Sequence, residues 1–205
     1  MKKIDIIFNT TLICPWDCEI CCVDAIHVKR QKEGIVFRSE GLSRKSLIST
    51  DDIYKIPFVE VYAARKAEGL ELNLDQKIQL LENLAGFDVR MDISGGDPLT
   101  INENYAFLKY ASKKLGKHNL TLTATGRGLT NIKPQDLAPY ISEYNFTYDA
   151  LDASNVIGRP MGYSDSNFFF AKKIARLGCS TRAEFPMNRN SLSKEHITGL
   201  YKSLL

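Results

Sequence analysis

Five times along these 205 residues, a short run of strand character gives way to a stretch with helical spacing. Ile4, Ile6 and Phe8 alternate within Lys3 to Phe8, the period of two that marks a strand. Asn73-Leu74-Asp75-Gln76 has the form of a capping box opening a helix, with Leu74, Ile78 and Leu81 on one face and Gly86 beyond its end. Val89, Met91 and Ile93 predict a second strand, ending at Ser94-Gly95-Gly96, and a helix follows from Asn102 to Leu115. Leu120 to Ala124 predicts a third strand, and Pro134 to Ile141 a short helix limited by Pro139. Phe146 to Leu151 is the fourth strand, followed by a helix over Asn167 to Leu177 that Gly178 ends. Thr181 to Met187 is the fifth strand, and Ser193 to Leu204 the last helix. Such alternation demands a mostly parallel sheet with right-handed crossovers. No Gly-x-Gly-x-x-Gly follows the first strand and no P-loop is present, so a partial or full α/β barrel is the expected architecture.

Composition narrows the function classes. Hydrophobic residues are 44% and charged residues 25% of the chain, ordinary globular usage that excludes a disordered tail, a collagen or a coiled coil. No apolar run approaches the ~18 residues of a membrane span. A net charge of +3 is too weak to imply nucleic acid. Asp5 and Asn9 interrupt the apolar amino terminus, so a cytoplasmic protein is expected.

The cysteines are distributed unevenly. Cys14, Cys18, Cys21 and Cys22 lie within nine positions, and Cys179 stands alone. Thiols so close together rarely pair well, and in a reducing compartment such a cluster points to metal or redox chemistry. The order is Cys14-x-x-x-Cys18-x-x-Cys21, on the loop after the first strand, where α/β barrels place catalytic groups. Three thiolates suit a [4Fe–4S] cluster with one iron left open. Zinc is the competing reading, with Cys22 or His27 closing a tetrahedron, although adjacent Cys21 and Cys22 make poor co-ligands. Gly95-Gly96-Asp97-Pro98 closes the second strand, and two residues without a β-carbon permit close approach of a ligand.

Together these motifs resemble the radical S-adenosylmethionine enzymes, and most nearly their peptide- and cofactor-maturing branch. Cys14-Pro15-Trp16-Asp17-Cys18-Glu19-Ile20-Cys21 is similar to that family's cysteine hallmark, and Gly95-Gly96-Asp97-Pro98 to its Gly-Gly-Glu-Pro turn. Thr125-Gly126, Ala150-Leu151-Asp152-Ala153, Arg159 with Gly162, and Asn188-Arg189-Asn190 are weaker matches in the same order. The resemblance implies a partial (β/α)6 barrel over residues 1–205, with a basic insertion at about 23–72. It implies a [4Fe–4S] cluster on Cys14, Cys18 and Cys21, and S-adenosylmethionine near Ile20, Gly95, Gly96, Asp97, Thr125, Asp152 and Glu184. A β-carbon at Gly96 is then expected to crowd the methionine amine. The implied chemistry is reductive cleavage to a 5′-deoxyadenosyl radical that abstracts hydrogen, with Asp149 and Asp152 as candidate catalytic groups. Implied partners are a flavodoxin- or ferredoxin-like reductant and a substrate, a ribosomal peptide or alternatively a small molecule. From another class, a zinc-binding interaction module fits the same cysteines.

Some positions depart from the pattern. Ile20 stands where the family usually has an aromatic, and Ala150 where it has a hydroxyl residue. The chain stops after the fifth helix, so a sixth strand and any cluster-bearing carboxy-terminal domain are expected to lie outside this sequence. Cys22 is expected to be a small buried hydrophobe, and Cys179 to lie away from the chemistry. Arg182 and Glu184, mid-strand, need partners from the cofactor or from neighbouring strands. Lys29 to Lys45 carries six basic residues against Glu33 and Glu40, a solvated or substrate-facing insertion with a helix near Pro57 to Glu68.

Overall fold

The computed structural model describes residues 3–40, 44–127, 132–149, 158–185 and 193–204. Its larger sheet contains five parallel strands, β1 (Ile4–Thr11), β6 (Val89–Gly95), β7 (Leu120–Thr123), β8 (Glu143–Thr147) and β9 (Ser180–Glu184), side by side in chain order. Helices α2 (Leu74–Asn83), α3 (Asn102–Leu115), α4 (Pro134–Leu137), α5 (Tyr163–Ala175) and α6 (Lys194–Leu204) occupy the connections and the end. Among the described residues the order never reverses, so they contain no strand-order switch point of the kind that marks a doubly wound sheet.

Alternation along each strand sorts the two faces. Met91, Ile93, Leu120, Leu122, Tyr144 and Phe146 turn to the helices and join Phe107, Leu108 and Ile174 in the main core. Their neighbours turn the other way and are polar. Thr123, Asn145 and Arg182 are register partners across three strands, and Asp92 on a fourth joins them diagonally. Thr123 Oγ1 donates to Asp92 at 2.8 and 3.0 Å, Asn145 Nδ2 donates to Thr123 at 3.2 Å, and Arg182 Nε donates to Asn145 at 3.2 Å. Arg182 also pairs with Glu143 at 3.0 Å, and on β1 Asp5 pairs with Arg90 at 2.9 Å. Arg182 and Glu184 therefore find partners on their own and neighbouring strands. Parallel sheets normally bury both faces under apolar cover. This one keeps a hydrophilic face.

The expected partial (β/α)6 barrel is corrected by this arrangement. The described residues form an open sheet of five strands, not six, and a second sheet of four that no strand–helix unit accounts for. That second sheet is β2 (Ile13–Cys14), β3 (Ile26–Gln31), β4 (Gly34–Glu40) and β5 (Arg44–Ser49). The segment expected as a solvated or substrate-facing insertion thus forms a sheet. Ile26, Val28, Ile35 and Phe37 point to one side and meet Val61 and Tyr62 of α1 (Pro57–Ala67), while Lys29, Arg38 and Lys45 take the alternate positions.

Polar contacts tie the two sheets together. Glu71 accepts from the Leu12 amide at 3.2 Å and pairs with Arg65 at 3.4 Å, and both side chains are buried. Lys77, wholly buried, donates to Asn104 at 2.6 Å and to Tyr62 at 3.2 Å. Burial pushes its ammonium down to about 8. The capping box at Asn73 and Gln76 is present, each side chain bonding the other's backbone amide at 2.9 Å. Among the described residues, no helix is long and apolar enough to cross a membrane.

Candidate functional site

A cavity of about 300 Å³ lies over the carboxyl ends of the parallel strands, on the hydrophilic face. Asn9 of β1, Asp92 and Ser94 of β6, Thr123 of β7, Thr147 of β8 and Glu184 of β9 form its floor. The loop after β2 forms its roof, with Cys14, Trp16, Cys18, Cys21 and Cys22, and Arg159 and Tyr163 close one side. The carboxyl end is where a parallel sheet presents strand termini and loops to a ligand.

The floor carries the charge. Asp92 is half-buried, and burial pushes its carboxyl up to about 6, with Glu184 adding to the effect and the Thr123 hydroxyl opposing it. An aspartate set between Met91 and Ile93 of a strand was the one sequence signal for this residue, and the motifs did not include it. Asp92 and Glu184 make the cavity suited to a cationic group.

The wall is rigid. Arg159 binds Asp149 through two bonds of 3.0 and 3.3 Å, and both side chains are buried. The guanidinium also stacks on Tyr163 at 4.7 Å, and Tyr163 meets Trp16 edge-on at 5.3 Å. Burial outweighs the Arg159 pairing and raises the Asp149 carboxyl above its ordinary range. Asp149, expected as a candidate catalytic group, is thus held in an ion pair behind the cavity and is not one of its lining residues. Asp152 lies outside the described residues, as do the Ala150 to Ala153 and Asn188 to Asn190 motifs.

The remaining expected residues separate. Gly95, Gly96, Thr125 and Glu184 do line the cavity. Asp97 lies beneath it, fully buried, accepting from the Leu99 amide at 3.2 Å and from the Thr125 hydroxyl. Ile20 is 40% exposed and lies off the cavity, against Gly158. The expected role of Gly96 also changes. A β-carbon there would meet the Leu12 and Ile13 carbonyls at 2.5 Å, and one at Gly95 would meet the Thr11 carbonyl at 2.1 Å. These glycines are required by the backbone crossing at the end of β1, so a side chain would strike protein before any ligand.

Three thiols, Cys14, Cys18 and Cys21, share the roof, but the expected [4Fe–4S] centre is corrected. Among the described residues, no group of three or more His, Cys, Asp or Glu is arranged to hold a metal ion. Cys14 is buried, and burial with nearby Asp97 holds its thiol well above the ordinary range. Burial likewise raises Cys18, against the pull of Arg159. The zinc reading likewise finds no arranged ligand group among the described residues. Cys22 is exposed, not buried as expected, whereas Cys179 sits in the core against the carbonyls of Ala138 and Ile141.

No protein-family model matches the chain, and no curated protein does. Among solved structures, the chain is similar to one titled "Native anSMEcpe with bound AdoMet", with a TM-score of 0.55 and 16% identity. The match covers 98% of this chain and 48% of that one, so this chain spans about half its neighbour's length. At that identity the likeness shows the fold alone. The expected membership of the radical S-adenosylmethionine enzymes is corrected to that narrower statement, and the iron–sulfur and hydrogen-abstraction expectations fall with it.

Proposed function

We propose that this chain is an enzyme that binds S-adenosylmethionine in the cavity over the parallel sheet. One observation carries the reading: a hydrophilic, uncovered sheet face ends in a roofed cavity holding two carboxylates, in a fold shared with a structure that has AdoMet bound. The cavity lies at the small end of the ~300–1,000 Å³ range of ligand sites. Its chemistry fits the cofactor. Asp92 and Glu184 would receive the cationic methionine end, with Gly95, Gly96 and Thr125 beside them, while Trp16 and Tyr163 offer apolar rings. Arg159, fixed by Asp149, holds the roof against the floor and excludes water. Bound S-adenosylmethionine supplies a sulfonium with three activated carbon–sulfur bonds. The substrate is a peptide or a small molecule.

Product analysis tests this reading. Protein incubated anaerobically with S-adenosylmethionine, with and without a reductant and candidate substrates, is expected to consume it, and mass spectrometry reads which bond breaks. S-Adenosylhomocysteine marks methyl transfer, and methylthioadenosine marks transfer of the aminocarboxypropyl group. Methionine with 5′-deoxyadenosine, accompanied by iron and sulfide that Cys18→Ala removes, would restore the cluster chemistry that the geometry fails to support. Absence of cofactor binding under every condition would refute the proposal.

A further inference from the structure

A second cavity, of about 650 Å³, opens on the other side of Trp16. Trp16 is the one residue lining both cavities. Its walls bring the two sheets' connections together: Lys29 and Arg30 from β3, Phe58 from the start of α1, Leu99 after the glycine turn, Arg127 after β7, and Met161 before α5. Three of these groups are cations, and Asp17 is the one carboxylate among the lining residues. His27, also in the wall, has its pKa lowered by burial and so adds no lasting positive charge near neutral pH. Arg30 donates to the Lys55 carbonyl, but Lys29 is exposed and Arg127 stacks on the Trp16 ring at 4.5 Å. Beside these charges stand apolar groups left in water: Met161 is 92% and Ile56 54% exposed. Trp16 Nε1 and His27 Nδ1, buried in the same wall, have no hydrogen-bond partner among the described residues.

We propose that this cavity is a second binding site, for an organic anion carried on an apolar body. A carboxylate, sulfonate or phosphate would meet Lys29 and Arg127, and its apolar part would cover Phe58, Ile56 and Met161. Such a combination of a few cations with an apolar lining is what fixes an amphiphilic anion in a pocket of this size. The anion comes either as a free small molecule or as an acidic side chain next to an apolar one in a peptide. The proposal stands apart from the cofactor reading, because the two cavities share only the Trp16 ring.

That ring is also the reporter, since the chain contains one tryptophan. 8-Anilinonaphthalene-1-sulfonate, titrated into the full chain, is expected to quench Trp16 emission by energy transfer at one saturable site. Lys29→Glu with Arg127→Glu, both at exposed positions, should weaken that site about tenfold or more. S-Adenosylmethionine affinity should change by less than about twofold. The neutral parent N-phenyl-1-naphthylamine should bind more weakly than the sulfonate, and raising salt from about 50 to 500 mM should weaken the sulfonate alone. Displacement by acetyl-Leu-Glu-Phe-amide but not its Gln counterpart assigns the anion to a peptide; displacement by a free aromatic carboxylate alone assigns it to a small molecule. Equal affinity for the neutral parent, or unchanged sulfonate binding in the double variant, overturns the proposal.

Discussion

Gly95→Val is expected to cost more than about 4 kcal/mol of stability, the largest effect of any single substitution around the cavity. Two causes add. Gly95 has φ of +128°, a region L side chains rarely adopt, and its added β-carbon would lie 2.1 Å from the Thr11 carbonyl oxygen. That oxygen cannot retreat, because it already accepts the Gly96 amide at 2.8 Å and belongs to the strand pair that opens the site. Urea denaturation of the variant checks the prediction: a midpoint close to the parent's would mean that the β1–β6 crossing is looser than described.

Arg159→Met is expected to destabilise the fold by about 3 kcal/mol near pH 8, because it leaves the Asp149 carboxylate buried without its cation. The sign of the pH dependence follows from Asp149. Burial already raises its folded pKa above the unfolded value, and removing Arg159 raises it further. A raised carboxyl favours the fold while protonated and loses that contribution as pH rises through the folded pKa. The variant's deficit therefore shrinks towards pH 5. Asp149→Asn combined with Arg159→Met should recover part of the loss, since no charge is then stranded. Thermal melts of the parent and the two variants across this pH range decide it, and a deficit independent of pH would contradict the role given to Asp149.

What could be read from the residues was local. The Asn73 to Gln76 capping box, the Asn102 to Leu115 helix and the apolar alternation of Val89, Met91 and Ile93 are set by neighbours a few positions apart, and the structure contains them. Misplacements share one cause. The fourth strand runs Glu143–Thr147, earlier than the expected Phe146 to Leu151, because Glu143 and Asn145 face the polar network and so look unlike strand residues. Asp92 escaped notice for the same reason. The four-stranded sheet was hidden because Lys29 and Arg38 alternate with Val28, Ile35 and Phe37 and Arg30 follows directly, so charge density masked a period of two. Spacing alone brought Cys14, Cys18 and Cys21 to one roof. It could not show how burial would set the state of the thiols or that Gly95 and Gly96 answer to the backbone behind them.

Calorimetric titration of S-adenosylmethionine between pH 5 and 7, on the parent and on Asp92→Asn, tests the central claim most directly. With its carboxyl at about 6, Asp92 is mostly protonated at pH 5 and mostly ionised at pH 7. If it receives the cationic end of the cofactor, affinity must rise with pH across that interval, by up to about tenfold, with proton release on binding below pH 6. Asp92→Asn should bind more weakly at pH 7 and show a flat profile. Parent and variant binding with the same affinity at every pH, or no binding by either, would contradict a cofactor site on the hydrophilic face of this sheet.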